Sequence, residues 1–124
     1  MLAEQNKLPV ALRNYRSSLE IFNRLAKVDP ENIGGQLLRA LSHEKIGSVL
    51  ARQGNLAAAL ESYRLAFAST EHLARLDPDN AGLQYDLAVS HERIGEILQV
   101  QGKPVAALES YRTALAISEG PGRG

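Results

Sequence analysis

A period of 48 residues runs through this chain of 124 residues. Residues 42–47 (SHEKIG) return as residues 90–95 (SHERIG), and residues 29–32 (DPEN) return as residues 77–80 (DPDN). A fixed period between about 20 and 50 residues is the signature of stacked copies of one supersecondary unit. Such copies share a core that extends along the stack, and they present an extended surface. The period therefore predicts a repeat architecture.

Two Asp-Pro dipeptides divide the repeated elements. Proline has no backbone N–H and clashes with the preceding helical turn, so a helix is expected to end near Asp29 and another near Asp77. Asn32 and Asn80 follow these breaks, and an asparagine side chain can accept a hydrogen bond from the first turn of a helix. Both asparagines are therefore predicted to be N-caps.

Two glycines are expected to end every second helix. Gly54 and Gly102 suit the left-handed residue that commonly ends a helix. Apolar residues between Leu56 and Ala74 recur at intervals of three and four, which is the spacing of one helix face. Nothing in the chain has the pattern of a strand, so the predicted fold class is all-α. The predicted helices span residues 8–28, 33–53, 56–76, 81–101 and 104–119.

The helices are of two alternating kinds. A helices cover residues 33–53 and 81–101, and B helices cover residues 8–28, 56–76 and 104–119. The turns from A to B are short, so each pair is expected to form an antiparallel hairpin. We expect one helical domain over residues 1–119, with a flexible Gly/Pro tail at 120–124. Both ends have the appearance of a cut through a longer array; the alternative is a small protein that begins and ends there.

The repeated small and aromatic residues resemble the tetratricopeptide repeat (TPR) family. That family has a glycine in the middle of helix A, a glycine at the A–B turn, and an alanine, an aromatic residue and a second alanine along helix B. The matching residues are Gly47, Gly54, Ala59, Tyr63 and Ala66 in one copy, Gly95, Gly102, Ala107, Tyr111 and Ala114 in the next, and Ala11 and Tyr15 in an incomplete first copy. The resemblance covers nearly the whole chain and implies a superhelix of about two and a half stacked hairpins.

Three features differ from the family pattern. The period is 48 residues, compared with about 34 in the usual TPR. Histidine, at His43 and His91, occupies the position that is usually aromatic early in helix A. The usual proline at the end of helix B is absent, and helix B instead continues to the Asp-Pro break. Both helices are therefore expected to be longer than in the common TPR, as in the long-repeat members of scaffold proteins.

In TPR folds helix A lines a concave groove, so the resemblance assigns partner binding to one face of each A helix. We call the residues of this face the groove positions. They are Leu41, Glu44, Lys45, Ser48, Ala51 and Arg52 in the first A helix, and Val89, Glu92, Arg93, Glu96, Gln99 and Val100 in the second. Their mixed charge suits a peptide or helix that carries both charges and apolar anchors. The alternative is that these side chains only solvate a helix face.

A second candidate surface lies on the first and last B helices. Each of them lacks part of the A helix that the repeat would pack against it. We call its residues the end positions: Leu19, Ile21, Phe22, Leu108, Leu115 and Ile117. The ends of a solenoid normally carry a polar cap, and large exposed apolar surfaces mark interaction sites. These residues therefore predict self-association of the chain into a homo-oligomer.

Composition excludes several classes of partner. The chain has 14 basic and 14 acidic residues and a formal net charge of +0, whereas nucleic-acid binders usually carry a basic excess or stripe. There is no polybasic run for a membrane surface and no apolar run that approaches a membrane span. The chain has no cysteine, and its first six residues lack the apolar segment of a signal peptide. We therefore expect a cytoplasmic protein that binds neither nucleic acid nor membranes.

The sequence motifs that would suggest metal binding or catalysis are incomplete. His43-Glu44 and His91-Glu92 begin like the zinc motif HExxH, but Gly47 and Gly95 occupy the place of the second histidine that the motif needs. Ser42, His43 and Glu44 are chain neighbours on a helix and point in different directions, so they do not form a catalytic triad. We expect no enzyme activity, no metal and no cofactor. The predicted function is a non-catalytic protein-interaction scaffold or regulatory module; the alternative is an assembly module whose partner is a second copy of itself.

Overall fold

The prediction of an all-helical chain is confirmed by a computed structural model that describes the backbone of residues 2–119 and the side chains from residue 7 onward. Its five α-helices are α1 (Leu2–Val28), α2 (Ile33–Arg52), α3 (Leu56–Leu76), α4 (Ala81–Val100) and α5 (Pro104–Glu119). No strand occurs within 2–119. The expected tail at 120–124 lies outside the described residues.

The breaks between B and A helices are formed as the Asp-Pro dipeptides predict. α1 ends at Val28 and α3 at Leu76, in each case two residues before a proline. The side-chain oxygen of Asn32 accepts a hydrogen bond from the backbone N–H of Gly35 at 2.8 Å, and that of Asn80 accepts one from Leu83 at 3.1 Å. The predicted N-caps of α2 and α4 are therefore confirmed.

The turns from A to B close in the same way in both copies. Gly54 and Gly102 have φ values of +83° and +78°, which place both in the left-handed region. After α2, the N–H of Asn55 donates to the carbonyl of Leu50 at 2.9 Å and that of Gly54 to Ala51 at 3.0 Å. This pair of bonds is the Schellman motif, which satisfies the last carbonyls of a helix.

α1 differs from the expectation that it begins near residue 8. It begins at Leu2 and continues through Pro9, although proline disfavours a helix interior. The repeat aligns Gln5-Asn6 with Gln53-Gly54, where α2 ends. Asn6 occupies the position of the closing glycine, and the helix is not interrupted there.

Each helix packs against the next along the chain, from α1 to α5. One core cluster joins α2 to α5, with partly buried side chains of α1 packed against it; its buried members are Ile46, Leu50, Ala59, Leu60, Tyr63, Ile94, Ile97, Leu98 and Ala107. A second cluster joins α3 and α4 and consists of Leu73, Ala74, Leu83 and Leu87. The core is thus distributed along the series of helices, as expected of a repeat.

Gly47 and Gly95 mark close approaches between the helices of a pair. A Cβ atom on Gly95 would lie 2.9 Å from Cε1 of Tyr111, and one on Gly47 would lie 2.9 Å from the ring of Tyr63. The repetition of Tyr63 and Tyr111 with these glycines predicts that each tyrosine fills a gap between hairpins. The structure places its ring directly against the glycine of its own pair, so the glycine provides the space for the ring.

Candidate partner-binding surface

The hydroxyl of Tyr63 is influenced by groove positions from both A helices. Tyr63 belongs to α3 and is only 4% exposed. Burial raises the pKa of its phenol. A hydrogen bond with Ser48 and the charge of Arg93 lower that pKa, whereas the charges of Glu44 and Glu96 raise it further. Ser48 and Glu44 come from α2, whereas Arg93 and Glu96 come from α4. Groove positions of both A helices therefore act electrostatically on the same hydroxyl.

Most groove positions are exposed. Leu41, Lys45, Arg52, Glu92, Arg93, Glu96, Gln99 and Val100 are exposed, and Glu44, Ser48, Ala51 and Val89 are partly buried. None of the twelve is fully buried. The surface includes apolar side chains as well as charges, since Val100 is 71% exposed.

Charges of opposite sign are paired locally on this surface. Nη1 of Arg93 lies 3.3 Å from Oε1 of Glu96 one helical turn away, and both side chains are about half exposed. An exposed ion pair of this kind contributes between about 0 and 1 kcal/mol to stability. Both groups can therefore exchange this contact for a partner at little cost.

A pocket of about 410 Å³ extends the groove surface onto α5. Its α4 side is Glu92, Arg93 and Glu96, and its α5 side is Tyr111, Ala114, Leu115 and Ser118. The hydroxyl of Tyr111 donates to Oε1 of Gln99 at 3.0 Å and fixes the tyrosine against α4. Tyr111, Ala114 and Ser118 were not among the predicted site residues. The repeat contained the signal for the tyrosine, because Tyr111 is the counterpart of Tyr63.

The α5 wall of this pocket corresponds to a covered surface in the previous copy. One period earlier, its residues are Tyr63, Ala66, Phe67 and Thr70 of α3. Tyr63, Ala66 and Thr70 are buried, and Phe67 contacts His91 of α4 with ring centroids 4.6 Å apart. Among the described residues no further helix covers α5, and Leu115 is 60% exposed there. The pocket therefore lies on a surface of the kind that packs against a helix.

The end positions divide into two groups. Ile21, Leu108 and Leu115 are exposed, whereas Leu19, Phe22 and Ile117 are partly buried. Leu19 packs against the main core cluster and Ile117 against the second cluster. Two of the six residues thus contribute to the chain's own core. Leu115 lies beside the groove positions, so the two candidate surfaces meet at the α4–α5 pocket.

The two histidines of the A helices take part in packing. His43 is 8% exposed, and burial followed by the nearby charge of Arg39 lowers its pKa. Burial also lowers the pKa of His91, which packs edge-on against Phe67, while Glu71 acts in the opposite direction. Within the described part of the chain, no three His, Cys, Asp or Glu side chains converge as metal ligands do.

Comparisons with known proteins give this chain no relative: no protein-family model, no curated protein and no solved structure matches it. None of the helices described in residues 2–119 is both long and apolar enough to span a membrane. The assignment of a function consequently depends on the surface itself.

Proposed function

We propose that this chain is a non-catalytic protein-interaction scaffold or regulatory module of the TPR type, which binds a peptide or helix of a partner protein along the groove positions of α2 and α4. The observation that supports this most is that groove positions of both helices act on one buried hydroxyl, that of Tyr63: Glu44 and Ser48 from α2, and Arg93 and Glu96 from α4. A surface shared by two successive repeats is longer than one helix face, and it suits an extended or helical segment.

The proposed mechanism is a preformed surface. α2 and α4 are both packed on α3, so their side chains are held in place before a partner arrives. A rigid site loses little conformational freedom on binding, and most of the ordering cost then falls on the partner segment. The proposal needs no cofactor or metal, and it places the protein in the cytoplasm.

The groove positions define the chemistry of the partner. Leu41 and Val100 are exposed apolar side chains that can contact the partner's apolar anchors. The charged groove positions are Glu44, Glu92 and Glu96 on the acidic side and Lys45, Arg52 and Arg93 on the basic side. A partner segment with both charges and apolar residues complements such a surface, whereas a purely basic or acidic polymer does not.

The test is an affinity pull-down from host lysate with mass-spectrometric identification. Wild type is compared with a variant in which Lys45, Arg52 and Arg93 are replaced by Glu. A matched control replaces Arg13, Lys27 and Arg112 by Glu, because these exposed residues lie on B helices and the change in net charge is the same. The expected result is a protein retained by wild type and the control and lost by the groove variant. Equal capture by all three would contradict the proposal.

A second candidate function is homo-oligomer assembly, and the exposed α5 wall favours it. The counterpart of this wall on α3 is covered by α4, so a helix of a second copy is a chemically suitable cover. Light scattering at tens of micromolar protein distinguishes the two functions. Assembly predicts a mass above the monomer for wild type and a monomer mass for Leu115→Lys. A monomer mass for wild type would exclude assembly and leave the scaffold proposal intact.

A further inference from the structure

A pocket of about 380 Å³ opens between α1, α2 and α3, away from the groove and end positions. Its polar lining consists of Gln36, Arg39, Ser69 and His72, and the rest of its wall is alanine and proline. The amide of Gln36 already donates to the backbone carbonyl of Pro30. Arg39, Ser69 and His72 all carry hydrogen-bond donors, and no carboxylate of the described residues contributes to the wall.

Arg39 lacks a partner for one of its buried donors. Its side chain is partly buried, and its Nε atom is inaccessible to solvent without a hydrogen-bond acceptor among residues 7–119. Buried polar groups in proteins almost always have an acceptor or donor partner, so an unsatisfied guanidinium nitrogen needs an explanation. The nearby His43, whose pKa is lowered by burial and then by the charge of Arg39, carries no negative charge and so supplies no compensation.

The second copy fills the corresponding place with core residues. One period later, Leu87 occupies the position of Arg39 and Ile117 occupies the position of Ser69. Leu83 and Leu87 are buried in the second core cluster, with Ile117 packed against it. The flanking residues are the same in both copies, since Ala26 and Pro30 return as Ala74 and Pro78. The repeat itself therefore accepts an apolar filling here, and the first copy replaces that filling with a polar pocket.

We propose that this pocket binds the oxyanion of a small molecule, a carboxylate of an organic acid or a phosphate ester, with Arg39 as its main ligand. A guanidinium presents its N–H groups in a planar fork that matches a carboxylate or phosphate. Ser69 and His72 on α3 supply further donors from the opposite wall. The volume lies within the range of small-molecule sites and exceeds the needs of a bare ion.

The first test follows the side-chain Nε–Hε signal of Arg39 by NMR during titration of the intact chain. The probes are succinate for a carboxylate source and glycerol phosphate for a phosphate source, with sodium chloride at matched ionic strength as the control. The expected result is a saturable shift of the Arg39 signal with at least one oxyanion and not with chloride. No shift, or an unsaturated drift equal to that in chloride, would overturn the proposal. The arm that saturates at the lower concentration identifies the oxyanion.

The second test transfers residues of the second copy of the repeat into the pocket of the first copy. The double variant Arg39→Leu/Ser69→Ile installs the residues of the second copy at the pocket. We expect it to fold, to melt at a higher temperature than ligand-free wild type, and to lose the increase in melting temperature that the oxyanion gives wild type by mass action.

A conservative variant tests the role of Arg39 without adding apolar side chains to the pocket. Loss of the charge-assisted bonds in Arg39→Gln is expected to weaken binding by about tenfold or more. Arg24→Gln, which alters an exposed arginine paired with Glu20, is expected to bind like wild type. Wild-type affinity in Arg39→Gln would overturn the proposal.

Discussion

Gly47 lies against the ring of Tyr63, so close that a Cβ atom at residue 47 would be 2.9 Å from both Cδ1 and Cε1 of the ring. Gly95 and Tyr111 repeat this relationship one period later. The missing side chain therefore lets α3 approach α2, where Ser48 hydrogen-bonds to the Tyr63 hydroxyl. One small residue thus links the packing of a hairpin to the candidate binding surface.

Replacing Gly95 with Leu is expected to destabilise the fold by several kcal/mol, about 3, because the new side chain has to displace the Tyr111 ring. Urea denaturation measures the change. Gly34→Ala is the control: its Cβ would meet only Asn32 Oδ1 at 3.4 Å, an ordinary contact. That variant should be neutral or slightly more stable, since alanine favours a helix. An unchanged stability in Gly95→Leu would refute the close contact at residue 95.

Tyr63→Phe is expected to lower the free energy of unfolding by about 1 kcal/mol, because Ser48 loses its hydrogen-bond partner at a buried site. Tyr111→Phe removes the bond to Gln99 at an exposed site, where water can replace it, and is expected to cost less. Chemical denaturation of both variants gives the comparison. A greater loss of unfolding free energy in Tyr111→Phe than in Tyr63→Phe would show that burial does not decide how much each tyrosine hydroxyl contributes to stability.

Asn80→Ala is expected to cost about 1 kcal/mol through loss of the N-cap of α4. Asn55→Ala should cost less, because the cap bond from Asn55 to Ala58 is 3.4 Å long and that from Asn80 to Leu83 is 3.1 Å. Thermal unfolding followed by circular dichroism measures both changes. The reverse order of the two losses would contradict the cap geometry.

Acidification is expected to destabilise the protein through His43 and His91. Burial lowers both pKa values below the ordinary 6.5, so the unfolded chain takes up protons first as the pH falls. The contribution of the two neutral histidines to the free energy of unfolding is fully present above pH 6.5. It is lost as the pH falls from 6.5 toward the lowered pKa values.

The measurement is the melting temperature between pH 7.5 and 5, values on either side of an ordinary histidine pKa of about 6.5. His43→Phe removes one buried titrating ring and is expected to reduce the pH dependence, with the remainder due to His91. A profile in His43→Phe that matches wild type would show that His43 is not held neutral by the fold.

Local features of the fold were predictable because the chain's near neighbours control them. Pro30 and Pro78 end helices through their own backbone chemistry, and Asn32 and Asn80 cap the helices that follow within three residues. The period also identified Gly47 and Tyr63 as residues with a shared structural role. It did not predict that they touch each other, since their contact depends on the separation and rotation of two packed helices.

The sequence by itself determined that the chain is helical and where the breaks between its helices lie, because these follow from spacings of a few residues and from the 48-residue period. The groove positions were expected from the resemblance to TPR repeats. The tertiary structure decided how these positions are combined. It let Glu44 and Ser48 of α2 act on the same hydroxyl as Arg93 and Glu96 of α4, packed Leu19 and Ile117 against the core, and left Arg39 in a pocket that Leu87 fills in the next copy. Those outcomes depend on contacts between helices distant along the chain, where the size of every facing side chain matters.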